Sequence, residues 1–153
     1  MNPTKGRNMN LSQQCRAKVL VVDHDAANRE RLATLLRAST FKVLVAPAGE
    51  SALLTLCEQR DEIDWLVTKL ALPGLVCGRL LADEYHRHQP ARPVLFLLDA
   101  ALDGQRAAMG AVVIPSNVPS RAVQAIKVLA MAEAGRLVRT DLVRMPERII
   151  QAA

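Results

Sequence analysis

Lys18-Val19-Leu20-Val21-Val22-Asp23-His24-Asp25 decides the fold of this chain. Four consecutive apolar residues, three of them β-branched, end abruptly in acid. Such a run suits a strand buried on both faces rather than one that alternates between core and solvent. Residues 26–38 then read as a helix, with Leu32, Leu35 and Leu36 on one face and Asp25 placed to cap it. The same alternation continues. Residues 41–46 give a second strand, and 49–59 a helix with Ala52, Leu53 and Leu56 inward. Residues 64–68 give a third strand, followed by a helix over 78–88 that carries Leu80, Leu81 and Tyr85. A fourth strand spans 93–98, a short helix lies near 102–109, and a fifth strand spans 111–115. The last helix begins near Pro119, a residue suited to a first helical turn, and runs to about residue 135. Strands alternating with helices predict an α/β fold with a doubly wound, five-stranded parallel sheet. Right-handed crossovers favour the flavodoxin-like order 2-1-3-4-5.

At 153 residues the chain suits one domain with a real hydrophobic core. Its apolar half is mostly Leu, Val and Ala, and only 3% of residues are aromatic. That scarcity of rings argues against a base-stacking nucleic-acid platform. No run of about 18 or more apolar residues is present, which predicts no membrane span. Residues 1–15 lack the apolar stretch of a signal peptide. Cys15, Cys57 and Cys77 are odd in number and lack metal-type spacing, so they read as reduced thiols of a cytoplasmic protein.

The formal net charge of +5 belongs to the ends. Residues 1–17 hold Lys5, Arg7 and Arg16 with no acid. Residues 136–153 hold Arg136, Arg139, Arg144 and Arg148 against Asp141 and Glu147. The body between them is neutral, with 13 basic and 13 acidic side chains, so phosphate-driven binding lacks its usual clustered cations. Residues 1–16 read as a disordered basic tail, 17–135 as the folded domain and 136–153 as a C-terminal helical extension. In that extension Val138, Leu142, Met145 and Ile149 form a helical stripe, interrupted by Pro146. The stripe suits either a tail folded back on the domain or a dimerisation helix.

The segment Asp64-Trp65-Leu66-Val67-Thr68-Lys69-Leu70-Ala71-Leu72-Pro73-Gly74-Leu75-Val76-Cys77-Gly78 resembles the third strand and following loop of bacterial response-regulator receiver domains. Val21-Val22-Asp23-His24-Asp25, residues 46–53 and Gly110-Ala111 carry the same resemblance, which covers roughly residues 18–134. It implies the flavodoxin-like (CheY-like) fold and a place in two-component signalling. It also implies a phosphoryl-accepting pocket at the carboxyl ends of the strands, where ligands of such sheets bind.

That pocket departs from the family's pattern at nearly every working part. Asp23 matches the first metal-binding acid, but His24 stands where the second belongs, with Asp25 beside it. Lys69 replaces the aspartate that accepts the phosphoryl group, and a lysine cannot form an acyl phosphate. Leu98 falls at the Thr/Ser position and offers no hydroxyl. Asn117, or Ser116 within the register's tolerance, takes the place of the strand-five lysine, and Ile114 that of the switching aromatic. The resemblance therefore implies a degenerate pocket with no catalytic residue, no metal and no cofactor. An ammonium can stand in for the missing cation. At an effective dielectric near 20, opposite charges about 4 Å apart attract by about 4 kcal/mol before desolvation. Lys69 is expected to bridge Asp23 or Asp25.

From residues 98 to 110 the chain is shorter than the family's loop and fourth helix by about one turn. Eighteen residues beyond 135 leave no room for an output domain. The expected function is a non-enzymatic, phosphorylation-independent signalling module that acts by protein–protein interaction. Its partner would be a histidine kinase, a response regulator or another regulator of a two-component pathway. Residues 136–153, or the face of the fourth and fifth helices, could support a homodimer. The alternative is a small-ligand or nucleic-acid binding protein that uses the strand-end cleft or the basic tails. A hydrolase or transferase would need a Gly-rich phosphate loop or a nucleophile–base pair, and neither is present in the sequence.

Overall fold

The computed structural model describes residues 17–99 and 111–144, with side chains described up to residue 135. The expected tail over 1–16, the short helix near 102–109 and the stripe beyond Arg144 lie outside these residues.

Five strands and four helices follow one another along the described residues. They are β1 (Lys18–Val22), α1 (Ala26–Ala38), β2 (Lys42–Ala46), α2 (Gly49–Glu58), β3 (Trp65–Lys69), α3 (Gly78–His88), β4 (Val94–Leu98), β5 (Ala111–Pro115) and α4 (Pro119–Arg144). The strands form one parallel sheet in the order β2-β1-β3-β4-β5, the flavodoxin-like arrangement that the sequence predicts. In register, Val21 lies between Val45 and Val67, and Val67 between Val21 and Leu95. Consecutive strands therefore all end on the same edge.

Burial follows position in the sheet. Val19 to Val22 of β1 and every residue of β3 and β4 are buried. The two edge strands are open, with Val45 of β2 and Val113 of β5 exposed. On one face Leu20, Leu66, Val94 and Phe96 meet Ala52 and Leu56 of α2 and Leu81 and Tyr85 of α3 in one core cluster. Each fully buried Leu there contributes about 2 kcal/mol of transfer free energy. Leu32, Ala33 and Leu36 make the buried stripe of α1.

Two helix starts shape the strand ends. Asp25 caps α1, its Oδ1 accepting from the backbone N–H groups of Ala27 and Asn28. At α3 the helix crowds the end of β3, and a Cβ on Gly78 would come within 2.3 Å of the Lys69 carbonyl oxygen.

Several boundaries differ from the sequence reading, β4 and α2 by one residue each. Residue 41 precedes β2, which starts at Lys42. β3 starts at Trp65 and ends at Lys69, because the backbone N–H of Asp64 turns to the Lys18 carbonyl at the mouth of β1. Most different is α4, which runs through residue 135 to Arg144 without a break. The chain divides into two compact units after Val123. The first holds the sheet. In the second, the described residues continue α4. Among the described residues no helix is long and apolar enough to cross a membrane.

Candidate functional site

The carboxyl ends of β1, β3, β4 and β5 each deliver a polar side chain to one edge of the sheet. Lys69 is the last residue of β3 and is buried along with its neighbours. Its Nζ lies 2.7 Å from Asp99 Oδ1. Asp99 is the first residue after β4, and Ser116 the first after β5. Ser116 is fixed by its backbone N–H, which donates to the Leu98 carbonyl at 2.8 Å. Its hydroxyl donates to the same Asp99 oxygen at 2.6 Å. One carboxylate oxygen thus receives both an ammonium and a hydroxyl. The Lys69 hydrogen bond, then that of Ser116, holds the Asp99 carboxyl below the ordinary aspartate range.

The β1 side is arranged differently. Asp23 is 1% exposed, and its Oδ1 accepts from the Asp25 backbone N–H at 2.9 Å. Its Oδ2 is buried with no hydrogen-bond partner. Burial pushes the Asp23 carboxyl above its ordinary value, opposed by the Asp25 amide and by the charges of Lys69 and His24. The His24 Nδ1 is 3.8 Å from Asp23 Oδ1, on a ring that is half exposed. Arg29 Nη1 donates to the Asp23 carbonyl at 2.9 Å, bracing the turn from β1 into α1.

The expected bridge from Lys69 to Asp23 or Asp25 is therefore corrected. Lys69 pairs with Asp99, a residue the sequence reading passed over. Asp25 spends its carboxylate on the cap of α1, and Asp23 feels the lysine only as a nearby charge. The signal for Asp99 lies one place beyond Leu98, in an acid that closes an apolar strand as Asp23 closes β1. Leu98 and Ile114 are buried apolar residues in the β4–β5 ladder. Asn117 is exposed, and of the two residues weighed for the β5 end it is Ser116 that reaches the cluster.

Glu50, in the first turn of α2, is a second residue that the sequence reading missed. Its Oε1 accepts from the backbone N–H groups of Leu75 and Val76, at 2.8 and 3.2 Å. It clamps the loop between β3 and α3 at the turn where Gly74 takes a positive φ of 99°. Its own backbone N–H, then those of Leu75 and Val76, holds its carboxyl below the ordinary range.

The magnesium ion that the family resemblance implies does not fit these residues. Mg²⁺ demands several hard oxygen ligands in near-octahedral array. Among the described residues the one buried oxygen left without a partner is Asp23 Oδ2, beside an imidazole and an ammonium, and Asp99 already receives Lys69 and Ser116 on its Oδ1. Among the described residues no group of three or more His, Cys, Asp or Glu side chains is arranged to hold a metal ion.

No protein-family model matches the chain. The two-component response regulator-like protein PRR37 of Oryza sativa subsp. indica is 30% identical to it over 95 residues. That match takes in 62% of this chain but 12% of the rice protein, so the chain spans a small part of the curated relatives it matches. Among solved structures, the receiver domain of the hybrid histidine kinase CckA is 26% identical, with a TM-score of 0.63. The similarity covers 74% of this chain and 98% of that domain. A response regulator receiver protein from Sinorhizobium medicae WSM419 shares the fold, with a TM-score of 0.66 at 17% identity over 76% of this chain and 95% of that one. A 2-1-3-4-5 parallel sheet with polar residues gathered at its strand ends defines the CheY-like class. In its fold and in these likenesses the chain is similar to response-regulator receiver domains.

Proposed function

We propose that this chain is a pseudo-receiver: a non-enzymatic cytoplasmic module that signals by binding a protein of a two-component pathway, without being phosphorylated. One observation carries the reading. The strand-three position that presents the phosphoacceptor aspartate in the resembling family holds Lys69, and its ammonium is already neutralised by Asp99. The pair satisfies inside the protein the charge that a metal or a phosphoryl group would otherwise complement. The remaining carboxylates are poor substitutes. Asp23 is buried and disfavoured as an anion, and Asp99 Oδ1 is occupied by both Lys69 and Ser116. A pocket closed in this way supports one fixed binding surface, recognised by a kinase, a response regulator or another regulator.

Incubation with acetyl phosphate and Mg²⁺, followed by intact-mass measurement, tests the reading. A receiver that retains its aspartate serves as the positive control. The expected result is an unchanged mass for this chain and a phosphoryl adduct for the control. A stable, magnesium-dependent adduct on this chain would overturn the reading, whether it maps to Asp99 or elsewhere.

A further inference from the structure

The second compact unit carries a helical stripe that is exposed at Val128 and Met131. Along α4, Val128, Met131, Gly135, Val138 and Leu142 recur at intervals of 3, 4, 3 and 4 residues. That is the a/d spacing of a coiled-coil seam. It is separate from the side of the helix marked by Ile126, which is fully buried. Val128 is 65% exposed and Met131 is 74% exposed. At Gly135 an added Cβ would meet nothing within 4 Å. A glycine inside a helix is destabilising relative to alanine, and here the space it leaves serves no contact among the described residues. A seam with one large, one absent and again large side chains needs an opposing helix with the complementary profile.

We infer that this face binds a second copy of the same chain as an antiparallel helix pair. Its own sequence supplies the complement. With the pair centred near residue 133, Met131 of one chain falls opposite Gly135 of the other, and Val128 opposite Val138. The glycine then becomes the hole for the methionine knob. The flanking g positions are Lys127 and Asp141. In the antiparallel register each Lys127 falls opposite an Asp141, twice over by symmetry. The remaining flanking charge, Arg139, falls opposite Ala125. A parallel pair sets Gly135 against Gly135, leaving a void at the centre. It also sets Lys127 against Ala132 and Arg139 against Ala134, with no opposite charges in register. Charge and shape both select the antiparallel arrangement, and an isologous two-fold contact of this kind closes on itself. The pairing is independent of whether the strand-end pocket accepts a phosphoryl group.

Sedimentation of the full chain over rising concentration, up to several hundred micromolar, reads the association. The expected result is a monomer–dimer equilibrium that Met131→Asp and, separately, Val128→Asp each weaken at least tenfold. The helical circular dichroism of both variants should remain that of the parent. A monomer at every concentration overturns the inference, and so does a dimer that survives both substitutions. Orientation is read by cross-linking with Cys15, Cys57 and Cys77 replaced by Ser. A mixture of Val128→Cys and Val138→Cys chains should form a mixed disulfide, while Val128→Cys alone should not. Efficient self-cross-linking of Val128→Cys would establish a parallel pair and overturn the proposed register.

Discussion

Lys69 and Asp99 form an unequal pair, and the inequality predicts how each responds to loss of the other. The lysine side chain is 7% exposed, whereas the aspartate side chain is 58% exposed. Removing Lys69, as in Lys69→Met, leaves a carboxylate that water and Ser116 can serve, for a cost of about 1 kcal/mol or less. Removing Asp99, as in Asp99→Ala, strands a buried ammonium, and the cost rises to about 2 kcal/mol even after discounting a buried-pair value for solvent at the rim. Urea unfolding of the two variants gives the comparison directly. A larger loss for Lys69→Met would contradict the account of Lys69 as the buried member. The two acids also set opposite pH dependences. Asp99, with its pKa lowered, lends stability above the ordinary aspartate value that is lost as pH falls through the folded value. Asp23, with its pKa raised, binds more protons folded than unfolded, so ionising it lowers stability as pH rises through its folded value. Asp23→Asn should therefore gain stability relative to the parent near neutral pH. That gain should shrink on acidification, and a gain that grows instead would reverse the assignment. At this scale the sequence showed Asp23, Asp25 and Lys69 at the edge, but neither Asp99 nor the pairing. The choice between Asp23, Asp25 and Asp99 depends on which carboxylates the backbone amides have already claimed.

Elements were more legible than pairings, for reasons visible in where the boundaries moved. Helix α3 and strand β5 fall on their expected residues because strong signals flank them. Gly78 is forced by the close approach to β3, and β5 leads into a turn and the helix-starting Pro119. The end of the last helix was misplaced because Gly135 reads as a stop. A glycine ends a helix by taking a left-handed conformation, and Gly74 is the one described glycine with positive φ. Gly135 stays helical, and α4 continues for nine more residues to Arg144. Gly74 shows the opposite case. Its φ of 99° favours glycine, and a Cβ there would lie 2.6 Å from the Glu50 carboxylate oxygen. Gly74→Ala should cost about 1–2 kcal/mol from backbone strain alone. Adding Glu50→Ala removes the clash but not the strain, so the double variant should be less damaged than the sum of the two single ones. Additive losses in thermal unfolding would mean that the clamp and the turn act independently.

Across the first unit, the two ends of the sheet divide their work. The carboxyl edge gathers Asp23, Lys69, Asp99 and Ser116, with an orphaned oxygen and an exposed carboxylate left over. The amino edge is fully tied instead. Asp64 Oδ2 accepts from the Lys18 backbone N–H at 2.8 Å, and its Oδ1 accepts from Arg92 Nη1 at 3.2 Å. The same Arg92 nitrogen donates to the Asp64 carbonyl, which also accepts the Tyr85 hydroxyl. The Arg92 guanidinium lies 5.2 Å from the centre of the Trp65 ring. One aspartate thus joins the starts of β1 and β3 to α3 and the approach to β4. Such closure marks an end built for stability, while ligand chemistry in open α/β sheets belongs to the opposite edge. Asp64→Ala tests the division. It leaves the Lys18 amide and Arg92 without the carboxylate at a partly solvated site, and should cost about 1–3 kcal/mol. Asp64→Asn, which keeps an acceptor for the Lys18 amide, should recover part of that loss in the same urea titration. Neither change should alter the response to a phosphodonor or the concentration dependence of assembly, because both properties lie elsewhere in the chain. If Asp64→Ala, while still folded, switched on phosphorylation or changed assembly, the amino edge would be coupled to function rather than confined to holding the sheet together.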